Sequence, residues 1–262
     1  MFCVLNVEKK NRNFFEKIFK FLVKDEYSIS TIPVFKGAPF YMLNASVYDE
    51  VDWDRVIELS GKCSKRLVVD GNIQIPENCG IGVYNSPALY NRVFINTLFH
   101  IIKNNVSLKN PQSITLCDKK GEYADFLTFF VPYASQITVV TDNKDKYTKI
   151  CDEILENTGL CVSVLSDFND GTIKINIDKK VMSICTQNHF INVTSGENMI
   201  VNNIYKKLLP RGVDEYSFYS ALYELCGVFS LGECIFEIVV VNNEKKHIDT
   251  VTFSWHNGKF LI

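Results

Sequence analysis

Between residues 113 and 177 the sequence alternates short β-branched runs with stretches of helical periodicity, and this alternation narrows the possible folds more than any other feature. Ser113–Cys117 and Gln136–Val140 read as strands, and Gly121–Val131 sets Tyr123, Leu127 and Phe130 in helical register. Lys144–Thr158 places Tyr147, Ile150, Cys151, Ile154 and Leu155 on one helical face and stops at Gly159, a residue suited to the position just past a helix end. Cys161–Leu165 and Thr172–Ile177 are further strands. Strands joined through helices pair in parallel with right-handed crossovers, so Ser113–Cys117 is expected beside Gln136–Val140 in a parallel sheet.

The flanking segments are of other kinds. Residues 1–7 and Phe40–Ala45 read as strands, as does Arg66–Val69. Segment 13–23 lines up Phe14, Phe15, Ile18, Phe19 and Leu22 as one helical face. A short helix after Asp52 ends at Gly61, and the loop Pro76–Gly82 closes this small α/β domain. Ser86 as N-cap and Pro87 in the first turn then open a helix that is apolar on nearly every side, with Tyr90, Val93, Phe94, Leu98 and Ile101, and is therefore expected to be buried. Farther on, Asn198–Leu209 reads as a helix capped by Ser195 and Gly196, and Asp214 caps another through Cys226. Glu233–Val241 and His247–Trp255 read as a hairpin around Asn242–Lys246.

Charge and cysteine usage exclude several classes. A net charge of −2 argues against a general binder of nucleic acid or anionic membrane. The first ten residues hold no basic stretch followed by an apolar run, and neither Ile235–Val241 nor Phe126–Ala134 is long enough to span a bilayer, so a cytoplasmic location is expected. Nine cysteines form no Cys-x-x-Cys pair, and Cys185 and His189 lack a second ligand pair, so reduced core thiols and no metal are expected. The Asn-x-Ser/Thr triplets at Asn44, Asn105 and Asn192 do not require glycosylation in such a chain. No nucleophile elbow, P-loop or zinc motif is present, and no catalytic residue is assigned.

After the first strand of the βα region, Lys119-Lys120-Gly121-Glu122-Tyr123-Ala124 stands where NAD(P)-binding Rossmann proteins carry Gly-x-Gly-x-x-Gly. The middle glycine is kept, and a lysine fills the first position. Asp142, 21 residues beyond Gly121 at the end of the second strand, matches the ribose-binding acid. The layout also resembles the shikimate dehydrogenases, a small substrate domain followed by a Rossmann domain. Asn192-Val193-Thr194-Ser195 is similar to their Asn-Ala-Thr-Ser stretch, and Gly82-Val83-Tyr84-Asn85-Ser86-Pro87 to their Gly-x-Asn-Thr-Asp segment, with Pro87 about where the catalytic aspartate belongs. Thr31-Ile32-Pro33-Val34-Phe35-Lys36 is similar to the motif of the catalytic lysine, with one residue too many.

The fold class expected is therefore α/β. A small N-terminal α/β domain (1–83) precedes a long buried helix and a Rossmann-like parallel-sheet domain (84–232), and a C-terminal β-hairpin follows (233–262). Ligands of open parallel sheets bind beyond the carboxyl ends of the strands. Asp118–Gly121, Thr141–Asp142 and Thr194–Glu197 are expected to line one crevice, with Lys119, Lys120, Gly121, Thr141, Asp142 and Ser195 as its binding residues. Two readings stay open. One is a Rossmann-like protein of no assignable activity, with no cofactor, that binds a small molecule or a partner in a degenerate nucleotide-type cleft. The other is an NAD(P)-dependent oxidoreductase. Oligomeric state is not set by the sequence.

Overall fold

The structure, a computed structural model, describes residues 1–11, 24–70, 73–167, 172–177, 179–185, 190–256 and 259–261. The helix expected at 13–23 and His189 lie outside these residues. Two compact units emerge: Met1–Tyr90 with Val201–Glu233, and Asn91–Ile200 with Cys234–Ile262. Among the described residues no helix is long and apolar enough to cross a membrane.

The first unit is built on strands β1 (Cys3–Lys9), β2 (Glu26–Val34), β3 (Gly37–Val47) and β4 (Leu67–Val69), in the order β2-β3-β1-β4. β1 runs parallel to both β3 and β4, and β2 pairs antiparallel with β3. Strand alternation splits the apolar residues between two faces. Cys3, Leu5, Leu43 and Ala45 form a core with Val56 of the helix Trp53–Ser60, which Asp52 caps by accepting from the Arg55 N–H at 3.0 Å. On the other face Phe2 stacks on Phe40 at 5.1 Å, and Phe218 of the helix Glu215–Leu225 meets both rings edge-on. β2 has no counterpart in the sequence reading, because Pro33 interrupts the pattern. Pro33 falls where the register shifts between Ile32 and Val34, on an edge strand that tolerates a missing N–H.

The helix Ala88–Asn105 begins in the first unit and continues in the second, and Leu89, Val93, Phe94, Leu98 and Ile102 along it are buried as expected. The second unit holds β5 (Gln112–Cys117), β6 (Ala134–Val140), β7 (Val162–Leu165), β8 (Ile173–Asn176), β9 (Val181–Cys185), β10 (Phe190–Met199), β11 (Phe236–Val241) and β12 (Glu244–His247). They form one sheet in the order β12-β11-β10-β9-β8-β5-β6-β7. β8, β5, β6 and β7 are mutually parallel, with Ser113 opposite Gln136 as expected, and the rest of the sheet is antiparallel. The parallel half, read β7-β6-β5-β8, has the first four positions, 3-2-1-4, of the Rossmann strand order, so the sheet is consistent with a Rossmann-like fold.

Four local expectations are corrected. The helix expected over Gly121–Val131 is a 3-10 turn (Ala124–Phe126), one α turn (Leu127–Phe130) and another 3-10 turn (Val131–Tyr133): Gly121 stands at φ 65°, outside the helical range, and Pro132 withholds an N–H where the α turn would continue. The helix expected over Asn198–Leu209 shrinks to Asn203–Lys206, since β10 runs on to Met199. The hairpin turn is only Asn242-Asn243, both at positive φ (50° and 69°) as a two-residue turn demands. The strand expected over His247–Trp255 stops at His247, and Ile248–Thr250 is a 3-10 turn.

The eight cysteines whose side chains are described carry free thiols, and Cys3, Cys117 and Cys226 are buried. Cys161, expected in a strand, precedes β7 and is exposed. Burial pushes the Cys3 thiol up to about 12 and the Cys226 thiol up to about 11. A thiol raised on folding favours the folded chain below its unfolded pKa, near ~8.5, and that contribution disappears as pH climbs through the folded values. Alkylation at pH 8 should therefore label Cys161 first, and Cys3 and Cys226 only on unfolding. Equal native labelling of the three, read by peptide mass, would contradict this burial.

Candidate functional site

The turn after β5 begins at Asp118, at the point where β6 and β8 flank β5 and the order of the parallel strands reverses. Its backbone N–H donates to Val140 O at 3.0 Å, and its C=O accepts from Gly121 N at 3.1 Å, which closes a tight turn through Lys119 and Lys120. Within residues 118–124 only Gly121 has a positive φ, 65°. A Cβ there would lie 3.1 Å from Lys146 Cδ and 3.2 Å from Asn143 Cβ, so the glycine serves the turn and the close approach of the next helix.

The Asp118 side chain is fully buried. Its Oδ1 accepts from the Glu122 N–H at 3.1 Å, and its Oδ2 accepts from the Tyr123 N–H at 2.8 Å and the Tyr147 hydroxyl at 2.7 Å. Tyr147, on the helix Asp145–Thr158, is buried as well. The N–H groups of Glu122 and Tyr123 open the crossover segment between β5 and β6. In a dinucleotide-binding Rossmann protein that place faces the pyrophosphate. Here an internal carboxylate holds those donors. The segment behind them begins as a 3-10 turn and contains a single α turn, so it lacks the aligned peptide dipoles of a long helix.

Five of the six expected binding residues come together. Lys119 Nζ reaches Ser166 O at 2.8 Å and Asp142 Oδ1 at 3.3 Å. Lys120 is exposed, and its C=O accepts from Lys146 Nζ at 3.3 Å. Thr141 is buried; its hydroxyl donates to Lys119 O at 3.4 Å and accepts from the Asn143 N–H at 3.0 Å, shaping the turn into the next helix. The Asp142 N–H donates to Lys119 O at 3.1 Å, while its carboxylate is exposed beside Lys119. The acid at the ribose position is thus already paired with the lysine at the first glycine position.

Ser195 is not brought to this group. It lies inside β10 opposite Val240, and β9 and β8 separate β10 from β5, a distance of about 14 Å at normal strand spacing. Thr194–Glu197 is strand rather than loop, and Glu197 pairs with Lys245 at 2.6 Å. Gly196 makes room for the Phe236 ring, so the expected cap reading of Ser195-Gly196 is replaced by a packing one. Lys36 occupies the β2–β3 turn at φ 55°, with its ammonium over the Phe35 ring. Ser86 accepts from the Ala88 N–H at 3.3 Å and donates to Glu224 at 2.5 Å, an N-cap role as the sequence suggests. Asn44 accepts from Asn6, Asn192 accepts from Ser183, and Asn105 donates to Ile101 O and Val251 O, so all three triplet asparagines use their side chains inside the fold.

The sequence places Asp118 only as part of the crevice and Tyr147 only on a helical face; the carboxylate–hydroxyl bond between them is what the sequence reading missed. The signal available was an acid directly after the first strand, ahead of the turn that was being matched to glycines. Among the described residues no cluster of three or more His, Cys, Asp or Glu can hold a metal ion. Compared with protein-family models, with curated proteins and with solved structures, the chain matches none.

Proposed function

We propose that the second unit is a Rossmann-like module whose phosphate position is filled by its own Asp118 carboxylate, and that the protein is a small-molecule-binding protein independent of NAD and NADP. The observation that carries this reading is the trio of bonds from Glu122 N–H, Tyr123 N–H and the Tyr147 hydroxyl to one buried carboxylate. A pyrophosphate brought to those donors would meet a like charge, and evicting Asp118 would break its bond with the buried Tyr147 hydroxyl. The Lys119–Asp142 pair supports the same reading, because ribose would have to compete with it for the acid.

The rival reading, an NAD(P)-dependent oxidoreductase resembling the shikimate dehydrogenases, draws on the 3-2-1-4 strand order, Gly121 and Asp142. It leaves Pro87 where an aspartate is needed and Lys36 on a hairpin turn. Thermal unfolding separates the two. A cofactor at a hundred times its dissociation constant stabilises by about 2.7 kcal/mol, which raises the melting temperature by roughly 5 °C in a chain of this size. With NAD or NADP at millimolar concentration the expected shift is under about 1 °C. A rise of several degrees, with saturable heat in calorimetry, would return the oxidoreductase reading to first place.

A further inference from the structure

The edges of the two large sheets are not guarded alike. Among the described residues, β12 ends the second unit's sheet with Glu244, Lys245, Lys246 and His247, all exposed, and β7 at the other end is only four residues long and half-buried. In the first unit, the outer side of β4 is closed by a bridge from Leu67 to Val83. β2 is the exception. It runs nine residues along the other edge, and Glu26, Ser28, Ile29, Ser30, Thr31 and Pro33 are exposed. Every second residue of an edge strand turns its N–H and C=O away from its single neighbour, so a long exposed edge is a template for one more strand. Charged side chains are the usual protection, and residues 27–35 contain none. Glu26, the one charge on β2, is held by Lys10 at 3.0 Å. Pro33 withholds one N–H near the end of the strand, at the register shift, and leaves residues 26–32 able to pair.

The chemistry of this edge suits its own copy. A charged peptide would find no counter-charge along residues 27–35. Antiparallel pairing about a two-fold axis is self-complementary, and full overlap of Glu26–Val34 with itself centres that axis on Ser30. Glu26 then stands opposite Val34 of the second copy, Ile29 opposite its Thr31, and Ser30 opposite its Ser30. No like charges meet, β-branched side chains lie side by side, and Ile29, 39% exposed in the single chain, gains cover. We infer that β2 pairs antiparallel with β2 of a second copy of this chain, which extends the first unit's sheet across a two-fold axis at Ser30. The contact lies on the first unit and uses neither Asp118 nor any residue of the second.

Sedimentation equilibrium of the full chain should show a dimer that dissociates on dilution, with a dissociation constant of about 1–100 μM, as suits an interface built on a single strand pair. Ser30→Lys and Ser30→Glu each set like charges opposite one another at the axis and should weaken the dimer at least about tenfold. Ser30 is exposed, so both variants should melt like the parent at a concentration where the parent is monomeric. Mixed in equal amounts, the two variants should recover a heterodimer, because only at the axis does a residue meet its own copy. A chain that stays monomeric up to about 1 mM, a dimer that both variants leave intact, or a mixture no more associated than its components overturns the inference.

Discussion

Asp118→Ala is expected to lower the stability of the second unit by about 3–4 kcal/mol, a drop of roughly 10 °C in its unfolding transition. Three donors lose their acceptor together. Two are backbone N–H groups, and the third is the hydroxyl of a tyrosine with no exposed surface. A hydrogen bond to a charged group contributes about 1.5–3 kcal/mol, and leaving buried donors unpaired adds to the loss rather than averaging it away. Tyr147→Phe removes only one of the three, so about 1–2 kcal/mol is expected from it. The double variant should lose less than the sum, because both single variants remove the same Tyr147–Asp118 bond. A small anion provides a sharper readout. If the carboxylate really stands in for a phosphate, formate or phosphate at tens of millimolar should restore part of the stability of Asp118→Ala and do nothing comparable to the wild type. An Asp118→Ala protein that melts with the wild type, or one indifferent to anions, would mean the carboxylate only fills space.

The alternation over residues 113–177 made the parallel half of the sheet legible because burial on both faces leaves continuous apolar, β-branched runs, as in Ile137–Val140. Local end signals were legible too. Asp52 and Asp214 cap their helices by accepting from the Arg55 and Ser217 N–H groups, and Gly159 takes the left-handed position with φ 73°. What failed was non-local. β10 carries Asn192-Val193-Thr194-Ser195-Gly196-Glu197-Asn198, a run that looks like turn and cap chemistry until β9 and β11 are seen on either side of it. The site failed for the same reason. Lys119, Lys120, Gly121, Thr141 and Asp142 were found by their distance from a strand end, which a linear reading measures. Asp118 becomes meaningful only when Tyr147, 29 residues on, folds back over it, which a linear reading cannot measure. The degenerate glycine pattern reads in the sequence as the loss of a feature, whereas in the structure the Glu122 and Tyr123 N–H groups of that turn are taken by Asp118.

Gly196→Ala is expected to be the most damaging methyl group that can be added to β10, at about 2–3 kcal/mol. An ideal Cβ at Gly196 would lie 2.1 Å from Phe236 Cδ2, 2.4 Å from its Cγ and 2.8 Å from its Cβ. The ring has little room to yield. Phe236 is fully buried, and its backbone N–H donates to Thr97 Oγ1 at 2.9 Å, which in turn donates to Val93 O at 2.7 Å on the central helix. Moving the ring outward therefore also strains a hydrogen bond that pins β11 to that helix. Phe236→Ala alone should lose about 3–5 kcal/mol through the cavity it leaves. Combined with Gly196→Ala, the clash with the ring is gone and only the 2.8 Å approach to the Cβ that alanine keeps remains, so the double variant should lose less than the sum, a favourable coupling of about 1–2 kcal/mol. Gly159→Ala is the control. Its Cβ meets nothing within 4 Å, and only the left-handed backbone opposes it, at about 1 kcal/mol. Denaturant unfolding of the four variants distinguishes the causes. If the effects of Gly196→Ala and Phe236→Ala simply add, the clash is not what excludes a side chain at Gly196, and the strand must need glycine for its backbone instead.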